Sequence, residues 1–205
     1  MMIRDNSFFL RDDVVGISRD LIGMILCTKM NGVVTGGRIV ETEAYGGVTD
    51  RASHAWGGRL TGRTETMYRE GGVCYIYLCY GIHHLFNVVT GPEGRPDAVL
   101  IRALEPVTGI ETMLQRRGLE KVQRRVAGGP GLVSQSLGLS TDQNGLSLIQ
   151  GKKIWLDRDE SHEKDQKRKF EIIASPRVGV DYAGEDAGRP WRFRLKGSKF
   201  SSPAK

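Results

Sequence analysis

The sequence predicts an α+β fold: one compact domain over residues 1–205, built on a curved, mostly antiparallel sheet with a few flanking helices. Three observations carry that expectation. Glycine supplies 27 of the 205 residues, nearly twice the usual share of about 7% and without a collagen-like period, so the chain turns often and tightly. Short β-type runs stand between those turns, for example Val73–Tyr80 and Ala98–Leu104. No Pro/Ser-rich linker or shift of composition divides the chain, whose length suffices for one full core.

The elements follow in order. Met1–Asp13 is studded with charge and has no apolar core of signal-peptide length. Ser18–Cys27 reads as a helix, with Ser18 as N-cap before an apolar block, although Ile25–Val34 can also be read as strand. Asn31-Gly32 is a two-residue hairpin turn between Ile25–Met30 and Val33–Val40. Residues 46–72 are mostly loop, and a loop this long in a compact domain is usually functional. Arg51, Arg59, Arg63 and Arg69 along it suit phosphates. Strands are expected at Val73–Tyr80, Leu85–Thr90 and Ala98–Leu104, with turns at Gly81-Ile82 and Gly91–Pro96. Pro106–Gly118 looks helical, with Ile110, Met113 and Leu114 on one face and Arg116-Arg117 where they suit the helix dipole. Gly128–Gly131 leads into a short helix, Leu132–Leu137. Two late strands, Lys153–Leu156 and Phe170–Ala174, flank a charged hairpin tip at Asp157–Lys169, and Pro190–Leu195 alternates aromatic and basic residues.

Composition narrows the function classes. Thirty basic against 24 acidic residues leave a net charge of +6, which favours a polyanionic partner. Three cysteines argue against a disulfide scaffold and for a reducing compartment. No stretch approaches the ~20 apolar residues of a membrane span. The expectation is a soluble monomer, cytoplasmic, and nucleoid-associated or nuclear according to the host.

Chemistry concentrates between Gly37 and Leu104. With period two, Ile39, Glu41, Glu43 and Tyr45 share one strand face, and Val40, Thr42 and Ala44 the other. The two glutamates are either a solvated face or carboxylates in a cleft suited to general-base work. Tyr75 and Tyr77 share a face. Tyr80 has the other parity and stands beside the Gly81 turn, where an exposed ring has the geometry of an intercalating wedge; core packing is the competing reading for all three. His83 and His84 are adjacent in a strand and point to opposite faces, and no Cys-x₂-Cys or His-Glu-x₂-His spacing occurs. Neither metal nor other cofactor is expected. Gly128–Gly131 before a helix could offer N–H groups to a phosphate, but lacks the Gly-Lys-[Ser/Thr] ending of a nucleotide P-loop.

Taken together, Gly37-Arg-Ile-Val-Glu-Thr-Glu-Ala-Tyr45, Ala52-Ser-His54, Gly57–Arg63, Tyr75–Gly81, Asn87 and Leu100–Pro106 resemble the alkyladenine (3-methyladenine) DNA glycosylase family. Gly129–Gly131, Pro176–Val180 and Pro190–Phe193 look like further markers of it. The resemblance implies a DNA-repair enzyme that flips alkylated or deaminated purines out of double-stranded DNA and hydrolyses the N-glycosidic bond, leaving an abasic site. It implies Glu43 as the base that activates water, with Arg102 holding that water and the carboxylate. Tyr45, His54 and Tyr77 match the walls between which the extruded base stacks, and Asn87 the residue that crowds the amino group of guanine. Tyr80 matches the side chain that fills the gap in the duplex, with Met67 beside it on the DNA-facing surface; Glu41 is structural in this view. The family's usual lysine after Gly-Pro-Gly is Leu132 here, so one phosphate contact is either missing or supplied by Arg124 or Arg125. The residues after Tyr80-Gly81, Ile82-His83-His84, also depart from the pattern. The rival readings are a non-catalytic module that binds damaged DNA and a hydrolase of free nucleosides.

Overall fold

The computed structural model describes residues 5–158 and 170–202. The first helix, α1 (Val14–Asp20), starts where Asp13 accepts a bond from the Gly16 N–H at 2.8 Å. The helix expected from Ser18 therefore begins earlier. Ser18 lies inside it, buried, with its hydroxyl 3.0 Å from that of Thr42. Asp13 outcompetes Ser18 as the cap, and the β-branched residues from Ile25 go to a strand instead. Strands β1 (Ile25–Met30) and β2 (Val33–Gly46) form the expected hairpin. Asn31 (φ 51°) and Gly32 (φ 80°) supply the two positive φ angles that such a two-residue turn demands.

Strands β3 (Cys74–Cys79), β4 (His83–Thr90) and β5 (Asp97–Thr108) continue the sheet. After them come α2 (Ile110–Arg117), α3 (Pro130–Leu137), β6 (Ile154–Asp157), β7 (Ile172–Ser175) and β8 (Arg192–Leu195). The strand order is β3-β4-β5-β2-β1-β6, with β8 paired to both β2 and β7, and every pairing is antiparallel. The α+β class with a curved antiparallel sheet is thus observed. Pro106 continues β5 rather than opening α2. The two late strands do not form a hairpin with one another: β6 pairs with β1, and β7 with β8. Most of the expected tip, from residue 159 on, lies outside the described residues.

Long strand β2 organises the sheet. Its first half pairs with β1, and Glu41–Glu43 pair with β8 along the same edge, while β5 runs along the other edge. Helices α1, α2 and α3 cover one face, where Ile17, Leu21, Ile39, Phe86, Ile101 and Met113 are buried together. The opposite face carries a different population, sorted by two irregularities in the β2–β5 register. Ile39 pairs with Leu104 and Glu41 with Ala103, so Val40 is extra; Thr42 then pairs with Ile101, so Arg102 is extra. Such bulges re-aim side chains. Ile39, Thr42 and Ala44 therefore face the helices, and Val40 turns to the other side, into a separate cluster with Ala103. Strict alternation, which groups Ile39 with the two glutamates, fails at that point.

Candidate active site

A cavity of about 630 Å³, within the usual range for small-molecule sites, opens beside the sheet, with the start of α3 (Pro130–Leu132) also in its wall. Its lining comes from β2 (Tyr45), the long loop (His54, Arg63), β3 (Tyr75, Tyr77), β4 (Asn87), β5 (Leu100, Arg102) and the segment around Val178. Glu43, fully buried, stands at its edge with both carboxylate oxygens held. Oε1 accepts from the Val178 N–H at 2.8 Å and lies 3.3 Å from Nη1 of Arg102. Oε2 accepts from the Tyr45 hydroxyl at 2.8 Å. The solvated-face reading of the glutamates is excluded, since Glu41 is 1% exposed and Glu43 0%.

Arg102 bridges the two carboxylates. Its Nε donates to Glu41 at 2.9 Å, and its Nη1 end reaches toward Glu43. Burial works against the Arg102 cation, but Glu43 and Glu41 outweigh it and raise its pKa. Burial likewise works against the Glu41 anion. Arg102, the Ser202 N–H and hydroxyl, and Arg192 outweigh that and hold its carboxyl below the usual range. Burial first, and the neighbouring Glu43 charge second, keep the Tyr45 phenol protonated well above its ordinary pKa, so it remains a donor to Glu43.

The aromatic residues gather around this pair. Tyr75 and Tyr77 stack at 5.3 Å between centroids, and the Tyr75 hydroxyl lies 3.0 Å from Nδ1 of His54. His54 meets Tyr77 edge to face at 4.6 Å. A base between two rings needs about 7–8 Å, twice the contact distance of carbon atoms, so His54 and Tyr77 are not opposite walls of an open slot. The Arg63 guanidinium lies over the Tyr77 ring at 4.7 Å. Asn87 is buried and donates to the carbonyls of Tyr75 and Leu85, which fixes its amide at the cavity wall.

Two of the sequence-predicted residues part company. Tyr80 projects outward, 92% exposed, from a turn closed by the Ile82 N–H on the Cys79 carbonyl, with φ at 50° for Tyr80 and 72° for Gly81. Met67, expected beside it on the DNA-facing surface, is only 2% exposed and packs with Ala55, Tyr75, Val89 and Ala98 in the wall of the cavity. Its apolar side chain has a dry cluster to join, and the residues exposed beside Tyr80 are Leu78 and Ile82 instead. Among the described residues, no group of three His, Cys, Asp or Glu could hold a metal ion.

Several supporting groups were not singled out from the sequence. Arg177 is fully buried, donates to both oxygens of Asp50 at 2.5 and 2.9 Å, and lies 4.9 Å from the centre of the Tyr45 ring. This arginine clamp anchors the strand end of Tyr45 and the Val178 N–H that reaches Glu43. The only local signal was a lone arginine in Pro176-Arg-Val-Gly-Val180.

With the site in view, comparison with known proteins is decisive. A family model described as "Methylpurine-DNA glycosylase (MPG)" matches residues 7–199. The chain belongs to the methylpurine-DNA glycosylase family. Curated relatives agree. A protein of Chlamydia felis named "Putative 3-methyladenine DNA glycosylase" is 45% identical over 92% of this chain and 94% of its own. Relatives of the same name from Natranaerobius thermophilus and Bacillus cereus are 41% and 42% identical, over 97% and 95% of this chain and 98% and 96% of theirs. The resemblance drawn from the motifs is therefore shown at the level of the family.

Proposed function

We propose that this glycosylase releases alkylated and deaminated purines from double-stranded DNA by attack of a Glu43-activated water on C1′, without a covalent enzyme–sugar intermediate. The observation that carries the reading is Glu43: a buried carboxylate at the edge of a 630 Å³ aromatic cavity, held by Val178, Tyr45 and Arg102.

A base inside a duplex is out of reach, so the nucleotide must turn out, at a cost of a few kcal/mol that is least for a damaged pair. Tyr80, protruding from a tight turn, fills the gap. Basic residues grip phosphates without reading sequence. Tyr45, His54 and Tyr77 receive the base. His54 and Tyr77 touch one another and so stand on one side of it, and Arg63 leaves the Tyr77 face as the base arrives. An alkylated purine is electron-poor and often cationic, and tyrosine faces attract cations by about 0.5–2 kcal/mol each. Asn87, its amide locked to two carbonyls, narrows the wall against the amino group of an ordinary guanine. Glu43 takes the proton of the attacking water, Arg102 orients both, and the carboxylate charge steadies the oxocarbenium-like sugar. A cationic base departs with the bond's electron pair as a neutral molecule and needs no proton, whereas a neutral deaminated purine takes up a proton from solvent as it leaves.

The test is formation of abasic sites on duplexes carrying 3-methyladenine or hypoxanthine, with a borohydride trap run in parallel. The reading expects strand breaks only after alkali and no trapped adduct. Binding without base release would support the non-catalytic module instead.

A further inference from the structure

The reaction scheme leaves a second buried carboxylate without a task. Glu41 is 1% exposed, sits on the same strand face as Glu43, and is saturated with donors. Its Oε1 accepts from Arg102 Nε at 2.9 Å, Arg192 Nε at 2.8 Å and the Ser202 hydroxyl at 2.8 Å, and its Oε2 accepts from the Ser202 N–H at 2.7 Å. Ser202 lies 161 residues from Glu41 along the chain. Its carbonyl and hydroxyl also accept from Arg192, and the carbonyl accepts from Arg194 as well. Ser202 thus brackets Glu41 together with Arg192.

The consequence lies in how Arg102 is divided. A guanidinium beside a lone carboxylate closes on it with two parallel N–H bonds. Here Glu41 holds the Nε edge, and only the Nη1 end faces Glu43, at 3.3 Å, longer than a good N–H···O bond. We infer that Glu41, bracketed by Arg192 and Ser202, is a positioning residue that competes for Arg102 and prevents it from closing on Glu43, so that the Glu43 oxygens, each already accepting one bond, keep a second lone pair for water. The charges of the cluster are Glu41 and Glu43 against Arg102 and Arg192, with Arg194, buried on the Ser202 carbonyl, as a further cation. Removing the Glu41 charge would leave Glu43 facing a larger excess of positive charge.

This inference rests on Glu43 being the base, and Glu43→Gln belongs in the same experiment. The informative variants are Glu41→Gln, Ser202→Ala and Ser202→Thr. Each is measured for single-turnover base release across pH, for binding to a duplex carrying an abasic-site mimic, and for thermal melting. Glu41→Gln should lower the maximal rate by tenfold or more, leave binding of the abasic-site duplex within twofold, and move the acid limb of the rate profile to lower pH, because the surplus positive charge favours the anion. Ser202→Ala, which removes a donor to Glu41 but no charge, should lower the rate by a smaller amount, roughly two- to fivefold, with binding of the abasic-site duplex and the acid limb unchanged, and Ser202→Thr should recover the wild-type rate. If Glu41→Gln does not fold, the two Ser202 variants decide. A folded Glu41→Gln or Ser202→Ala protein with the wild-type rate and profile overturns the inference. So does a loss of rate in Glu41→Gln that tracks the loss of melting temperature with the acid limb unmoved, which marks a purely structural role. Full activity in Glu43→Gln would instead remove the reading on which the inference stands.

Discussion

At the scale of the residue, His54 carries a prediction that needs no substrate. Burial first, and then the charges of Arg63 and Arg59, push its pKa down from 6.5 to about 4. The folded protein therefore keeps a neutral ring where the unfolded chain takes up a proton. Stability from this source is fully present above about pH 6.5 and is lost as pH falls toward 4. At 1.36 kcal/mol per pKa unit the loss is on the order of 3 kcal/mol. Urea unfolding at pH 7.5 and pH 5 should show the decline, and His54→Gln, which keeps a hydrogen-bonding partner for Tyr75, should flatten it. Identical pH slopes in the two proteins would contradict the assignment. Under the proposed function the neutral ring also suits electron-poor bases, since a second cation beside Arg63 would repel them.

At the scale of the element, the wedge proposed for Tyr80 would set function against stability in the β3–β4 turn. Tyr80 adopts a left-handed backbone conformation, φ 50°, which costs an ordinary L-residue about 1–2 kcal/mol, and at 92% exposure it recovers nothing by packing. Asparagine tolerates that conformation, and Asn-Gly is the favoured pair in tight hairpin turns. Tyr80→Asn should therefore raise stability by about 1 kcal/mol while lowering base release from duplex DNA. Calorimetric melting and an excision assay check the two halves; a variant that is less stable, or equally active on duplex, would count against the wedge. The elements themselves were read unevenly from sequence. The β1–β2 hairpin was legible because Asn31-Gly32 dictates its turn. The start of α1 was misread because Asp13 and Ser18 are both capping residues, and only the buried Ser18–Thr42 contact shows which one is free to cap. The pairing of β6 and β7 was misassigned because neither four-residue strand encodes its partner.

For the molecule as a whole, the positive charge has a measurable meaning. Holding even two phosphates costs about tenfold in affinity between 50 and 200 mM salt. Lesion duplex should show at least that decline, and a free nucleoside should show neither tight binding nor salt dependence. Equal, salt-independent processing of nucleoside and duplex would favour the nucleoside hydrolase. The candidate site was legible where its residues sit in short runs: Glu43 and Tyr45 two apart, Tyr75 and Tyr77 two apart, each on one face of one strand. It was not legible where the support comes from afar. Val178 reaches Glu43 across 135 residues and Ser202 reaches Glu41 across 161, and no periodicity records such contacts. Met67 was misplaced on the surface because its sequence neighbours say nothing of the buried cluster in the cavity wall, and the face of Ile39 because a bulge leaves no mark in an alternating pattern.

The central claim is that one buried carboxylate does the proton transfer. Its most direct measurement is single-turnover base release by Glu43→Gln on a 3-methyladenine duplex, alongside binding to an abasic-site mimic. The account predicts binding close to wild type and a rate lower by at least about 10², the low end for losing a general base. A rate within a few fold of wild type would contradict it.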